Sequence, residues 1–319
     1  GKHRAYADDR DMFPAAVDVV RRLKPRAFII ENVKGITRST FTNYLQYIEL
    51  QLRCPDIVKK ADEAWQDHCV RLQREHTSGA SGLRYNLVRT LVNAADYGIP
   101  QRRERVFLVG FRSDLGIEWS FPEPTHSLDA LLVDQWVSGD YWNRNSISQR
   151  KADTAGYSTD PAKLDGLRRR NDRTGLRQPW RTVRNALKGM PEPTLKGVPE
   201  WYNHRLQIGA KSYTGHTGSP LDLPAKALKA GDHGVPGGEN MMVRDDGSVR
   251  YFSVRESARI QTFPDTFVFH GSWSETMRQL GNAVPVALAH LVASSVAQRL
   301  LEADIETLAS RIASTHGHA

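Results

Sequence analysis

Ala27-Phe28-Ile29-Ile30-Glu31-Asn32-Val33 is an apolar run that turns polar near its end. Four consecutive apolar residues without alternation read as a strand buried on both faces, the pattern of a parallel sheet. In open α/β sheets ligands bind beyond the carboxyl ends of the strands, where Glu31 and Asn32 fall. Upstream, Met12, Phe13, Ala16, Val17, Val20 and Leu23 recur at helical spacing until Lys24-Pro25 stops the pattern. Downstream, 41–74 keeps a helical pattern and 77–82 breaks it with small residues. Residues 83–93 read as a strand, 96–100 as a turn and Arg105-Val106-Phe107-Leu108-Val109-Gly110 as a second buried strand. This alternation predicts an α/β fold.

The texture changes near Ser120. Pro, Gly and Arg rise, periodicity fades, and 120–250 reads as an irregular, loop-rich domain. Residues 253–261 and 274–280 are short helical candidates, and 283–301 is a longer apolar helix with an amphipathic, then polar, tail. No internal repeat is visible.

The chain has 319 residues, 39% hydrophobic and 25% charged, which fits one large domain or two smaller ones. No apolar run approaches a membrane span, and no signal peptide opens the sequence. Two cysteines, Cys54 and Cys69, cannot build a disulfide framework and point to a reducing setting. No histidine stands in metal-ligand spacing with a cysteine, so no metal is expected. The net charge is +8, but 141–215 holds 15 Lys/Arg against 6 Asp/Glu, and the rest of the chain sums to −1. A basic window interleaved with aromatics predicts a polyanion partner.

Four motifs lie in order along the chain: Glu31-Asn32-Val33; Gln101-Arg102-Arg103-Glu104-Arg105; Arg255-Glu256-Ser257-Ala258-Arg259-Ile260-Gln261-Thr262-Phe263-Pro264; and Gln279-Leu280-Gly281-Asn282-Ala283-Val284-Pro285. Each alone is weak, but the ordered set resembles the DNA cytosine-5 methyltransferase family. The long stretch between the second and third motifs resembles its target-recognition domain. Gly1-Lys2 with Asp8, Arg10 and Phe13 resembles the residues just after its catalytic loop.

The resemblance implies a doubly wound, Rossmann-like α/β methyltransferase domain with an inserted small, irregular recognition domain. The expected divisions are 1–118 catalytic, 119–273 recognition, and 274–319 returning to the catalytic domain. It implies S-adenosylmethionine as methyl donor, double-stranded DNA as partner, and a role in bacterial restriction–modification, in the cytoplasm at the nucleoid. The family's Gly-rich F-x-G-x-G loop and its Pro-Cys nucleophile do not occur here: the chain contains no Gly-x-Gly, Cys54 follows Arg53, and Cys69 follows His68. Both cysteines therefore read as structural. The sequence is expected to be an N-terminally truncated enzyme, inactive alone. The alternatives are one subunit of a split enzyme with a complementing N-terminal polypeptide, or a non-catalytic DNA-binding protein.

Cytosine C5 becomes nucleophilic only after a thiolate adds at C6, which is helped by a proton or strong hydrogen bond at N3. By resemblance Glu31, kept partly protonated by burial, does this, and Asn32 positions the site. Gln101, Arg103 and Arg105 alternate, so period 2 predicts one shared face. Arg105 is assigned to the base and its developing charge, Arg103 to scaffolding the nucleophile loop, and Gln101 to DNA. The alternative for these cations is a structural ion network with Glu104 and Asp114. Asn282 and Val284 are assigned to the cofactor, with Asn282 also able to cap the following helix. Arg168, Arg169, Arg170, Arg173, Arg177, Arg181 and Arg184 are the candidate DNA contacts, and the glycine-rich loop 231–240 fits close backbone approach to DNA.

Overall fold

In the computed structural model the chain divides into two compact units. The first comprises Gly1–Val92, Glu104–Pro122 and Leu291–Ala319; the second comprises Asn93–Arg103 and Glu123–His290. The structure describes residues 12–78, 82–148, 160–169, 177–214, 217–229 and 238–316. Gly1-Lys2, Asp8, Arg10, Arg170, Arg173 and 231–237 lie outside them. This division puts 93–103 and 274–290, expected in the catalytic domain, into the second unit.

The first unit is a mixed α/β structure, the class expected. Helix α1 (Phe13–Leu23) has a proline in its first turn and ends where Lys24 adopts a left-handed conformation (φ 47°) ahead of Pro25. Strand β1 is Ala27–Val33. The expected single helical stretch 41–74 is two helices, α2 (Thr42–Arg53) and α3 (Trp65–Ser78), because Pro55 removes a backbone donor just beyond Cys54. Helix α3 runs into the small-residue stretch as far as Ser78. Strands β2 (Tyr85–Asn93) and β3 (Glu104–Arg112) complete a sheet of order β1-β3-β2.

The pairing corrects one expectation. β1 runs antiparallel to β3, with Ala27 opposite Phe111 and Val33 opposite Arg105. Its continuous apolar run does not mark burial on both faces either: Ile29 and Val33, on the face opposite Phe28 and Ile30, are 38% and 52% exposed. One face packs Phe28, Ile30 and Leu108 against Phe13, Val20, Ile48 and Leu52. On the other, the aromatic contacts of β3 link Phe107 to Phe121 and Phe111 to Trp119. Gly110 is required where it stands: a Cβ there would lie 2.3 Å from Phe28 Cζ.

The second unit is irregular, as expected. Its described strands are two or three residues long: His126–Ser127 parallel to Gln178–Pro179, and Ser219–Pro220, Met241–Val243 and Val249–Tyr251 in one small sheet. A core of Val183, Ala225, Leu228, Phe252, Ala258, Ile260, Met277 and Leu280 holds it. Helix α4 (Val254–Ile260) starts with a Ser253/Glu256 capping box, and α5 (Trp273–Asn282) with a Ser272/Glu275 box. Helix α6 (Val286–His316) is a single run of 31 residues, longer than expected. With the residues leading into it, α6 is long and apolar enough to cross a membrane by length and composition, which corrects the expectation that no run approaches that length. Part of that stretch, including Val292 and Val296, is buried in the protein, as in a core helix.

Candidate functional site

In the first unit the site is built by the register of β1 on β3. Val33 lies opposite Arg105 and Glu31 opposite Phe107, so Glu31 and Arg105 are diagonal neighbours on one face. Arg105 Nε lies 2.6 Å from Glu31 Oε1 in an ion pair, with side chains 11% and 24% exposed. Burial lowers the Arg105 pKa, and the Glu31 charge opposes that shift. A guanidinium in contact favours the ionised carboxylate. Arg105 therefore sits against the carboxylate that the resemblance assigns to N3. Glu104 pairs with Lys34 at 2.7 Å and Asp114 with Arg112 at 2.7 Å. Asn32 falls on the opposite face, half-buried, and its Oδ1 accepts from the Val33 N–H at 2.8 Å.

The second unit holds Gln101 and Arg103, and the expected alternation of three side chains along a strand does not form. β3 begins at Glu104, so both residues precede it. Gln101 is fully buried in a backbone bridge with Ala225, and its side-chain amide has no hydrogen-bond partner among the described residues. In this conformation it does not present itself to DNA. Arg103, also buried, donates to the carbonyls of Leu228 (3.0 Å), Gly281 (2.5 Å) and Ala283 (2.9 Å). It thus fixes the turn that carries Asn282.

Asn282 is the last residue of α5, not the cap of the next helix. The orphan N–H groups of α6 are met from the third motif instead: Val286 donates to Gln261 O at 3.0 Å and Ala287 to Thr262 Oγ1 at 2.8 Å. Thr262 adopts φ 59°, a conformation costly for a β-branched residue. Gln261 Nε2 also donates to Leu280 O, so the two motifs form one piece. Asn282 is exposed and Val284 half-buried. The Asn282 carboxamide has no hydrogen-bond partner among the described residues.

The rest of the third motif is structural. Arg255 is fully buried and donates to the carbonyls of Tyr202, Pro264 and Phe267. Glu256 forms a buried bidentate pair with Arg250, at 2.6 and 2.7 Å. Arg259 pairs with Asp265 at 2.6 Å and lies 4.7 Å over the Trp201 ring. Sequence reasoning missed Arg250 and the role of Thr262; the Ser253-x-x-Glu256 box was the readable signal near the former.

The basic window is less positive in the fold than in the sequence. Arg144 pairs with Asp134, Lys163 with Asp129, Arg177 with Glu123, and Arg184 with both Asp222 and Asp245; all five carboxylate residues lie outside the window. Burial works against the Arg184 charge, yet its two carboxylates carry its pKa upward. Arg184 is therefore committed to protein carboxylates, which argues against its expected place among the DNA contacts. Arg168 pairs with Asp165 at 3.0 Å, and Arg169 is exposed and donates to the Asp165 carbonyl. Arg181 is exposed, with no ion pair among the described residues. A cleft of about 810 Å³ opens beside Arg144, Arg184, Lys188, Arg244 and Arg250.

Neither cysteine is built as a nucleophile. Burial pushes both thiols up, and Cys54 Sγ accepts from Arg84 at 3.1 Å. Among the described residues no group of three or more His, Cys, Asp or Glu could hold a metal ion.

With this geometry in place, one family model covers most of the chain. The sequence model of C-5 cytosine-specific DNA methylases matches residues 1–54 and 74–298. The Type II methyltransferase M.FnuDI of Fusobacterium nucleatum is 28% identical over 95% of this chain and 73% of its own. The Type II methyltransferase M.NgoPII of Neisseria gonorrhoeae is 27% identical over 94% and 73%. Among solved structures, the S. pombe Dnmt2 methyltransferase aligns over 90% of this chain and 72% of its own, at 14% identity and a TM-score of 0.45.

Proposed function

The chain belongs to the C-5 cytosine-specific DNA methylase family, and we propose that it supplies the base-activating part of a type II modification enzyme. The reaction is methyl transfer to C5 of a cytosine flipped from a specific duplex sequence. The observation that carries this reading is the Glu31–Arg105 pair at the end of β1. A flipped cytosine entering there competes for both partners. Arg105 turns to the ring carbonyl, where negative charge grows, and Glu31, relieved of its cation, holds a proton at N3. Arg103 fixes the Gly281–Ala283 turn and so orients Asn282 and Val284, which would hold S-adenosylmethionine. That group supplies an electrophilic methyl when bound. Flipping costs a few kcal/mol, which contacts made by the second unit to duplex DNA offset. The enzyme works in the bacterial cytoplasm on nucleoid DNA.

The thiolate that adds at C6 is neither Cys54 nor Cys69. It comes from a Pro-Cys loop outside these 319 residues, carried with the Gly-rich loop on a complementing segment or polypeptide. The test is methyl incorporation into duplex DNA by this chain alone and with a polypeptide carrying both loops. Activity is expected only in the mixture, and Glu31→Gln abolishes it. Incorporation by the chain alone, or full activity of Glu31→Gln, overturns the proposal. Methylation mapping of DNA from the source organism reads out the target.

A further inference from the structure

The cleft of about 810 Å³ lies wholly within the second unit. It is lined from the short helix Val183–Leu187 and from the hairpin of strands Met241–Val243 and Val249–Tyr251. Its lining cations are not equally engaged. Arg144 pairs with Asp134, and Arg184 with Asp222 and Asp245. Arg250 commits both terminal nitrogens to Glu256. What remains is the Nε–H of Arg250, the guanidinium of Arg244 and the ammonium of Lys188. Lys188 is exposed and has no ion pair among the described residues.

A single carboxylate bridges the two guanidinium groups. Glu192 Oε2 lies 3.0 Å from Arg244 Nη2 and 3.3 Å from Arg250 Nε, and its side chain is 69% exposed against 7% for Arg250. The bridge is poorly made: Arg250 Nε is a buried donor without a hydrogen-bond acceptor, and Arg244 Nε is another. Buried donors of charged groups are costly to leave unmet. The other carboxylates on the cleft are engaged elsewhere: Asp245 by Arg184, Glu256 by Arg250, and Asp246 by the N–H and hydroxyl of Ser248 in the hairpin turn.

The unmet donors specify the ligand. The Glu192 carboxylate meets both guanidinium groups through one oxygen. A phosphodiester carries two anionic oxygens set tetrahedrally and can accept from Arg244 and Arg250 on separate ones. It bears the same charge as Glu192, so the exchange leaves the charge of the cleft unchanged and returns an exposed carboxylate to water. Lys188 adds attraction as a point charge.

We propose that Arg244, Arg250 and Lys188 form a seat for one backbone phosphate of the duplex, which Glu192 fills in the free protein and leaves when DNA arrives. This rests on the reading that the second unit faces duplex DNA. A phosphate contact fixes register and carries no sequence information, so the seat sets the pose of the second unit and not its target.

The test is fluorescence anisotropy of the full chain on a labelled duplex across a salt series. Arg244→Ala keeps the hairpin turn, which the Arg244 backbone makes with Gly247 and Ser248. It lowers the log–log salt slope by about 1 and weakens binding about 3- to 10-fold. Glu192→Gln tightens binding about 3- to 10-fold. Glu200→Gln makes the same change of charge at an exposed glutamate without an ion pair among the described residues, and alters binding less than about 2-fold. In the Arg244→Ala background Glu192→Gln loses most of its gain. Equal effects of Glu192→Gln and Glu200→Gln, or an unchanged slope in Arg244→Ala, overturn the seat and leave the DNA reading standing. No duplex binding by the wild type overturns both. Inorganic phosphate, exchanged for chloride at constant ionic strength, leaves the melting temperature unchanged. A rise that Arg244→Ala removes, with duplex binding that Arg244→Ala leaves intact, makes free phosphate the ligand and overturns the proposal.

Discussion

The two units solve the same problem, satisfying buried backbone, by different means. In the first, strands of seven to nine residues pair with one another and bury apolar faces against helices. In the second, the strands are two or three residues long, and buried guanidinium groups take over: Arg103 and Arg255 each gather three carbonyls from distant loops. One unit is ordered by periodic burial, the other by a few multivalent cations. The first should tolerate loss of a charge but not of shape, and the second the reverse.

The largest expected effect comes from the second half of that contrast. Arg255→Ala removes a fully buried guanidinium that gathers the carbonyls of Tyr202, Pro264 and Phe267, and should cost the second unit about 3–5 kcal/mol in urea denaturation. Arg255→Lys should recover little of it, because an ammonium cannot reach three carbonyls in one plane. Equal stability of Arg255→Lys and wild type would break the comparison. Next is shape in the first unit: Gly110→Ala drives a methyl into the Phe28 ring. It should cost about 1–3 kcal/mol, partly restored by Phe28→Leu.

A smaller, pH-dependent effect sits at the α2–α3 turn. His68 Nε2 donates to Ile57 O, and Nδ1 accepts from Tyr47 Oη–H, both at 2.8 Å. Burial holds the His68 pKa below its ordinary value. The folded state thus binds fewer protons than the unfolded one above that lowered value. The stability from a neutral His68 is present above about pH 6.5 and is lost as pH falls through that value toward the folded one. Thermal melts at pH 7.5, 6.5 and 5.5 should fall less steeply for His68→Gln than for wild type. The smallest effect separates cations by their partners. In duplex binding by fluorescence anisotropy, Arg181→Ala should reduce the log–log salt slope by about 1, while Arg184→Ala leaves it unchanged. A total slope near zero would remove the window from the DNA interface.

The same contrast explains what could be read from the sequence. β1, β3, α1 and the family motifs were legible because apolar period and local turn chemistry encode them within a dozen residues. The partnership of Glu31 with Arg105 was half legible: both were singled out, but their diagonal contact depends on an antiparallel register that an unbroken apolar run conceals. The partners of Arg103 lie 125 to 180 residues away, and no local pattern announces them. The basic window was overread for a related reason. Charge counts along a chain ignore carboxylates that the fold brings in from elsewhere, as Asp222 and Asp245 are brought to Arg184.

The first amides of a helix ordinarily exchange with solvent quickly, because nothing inside the helix accepts from them. In α6 those of Val286 and Ala287 are held by Gln261 and Thr262. Their exchange is therefore set by how often the segment ending α4 lets go, not by fraying at the helix tip. Two stretches of chain more than twenty residues apart thus share one opening clock.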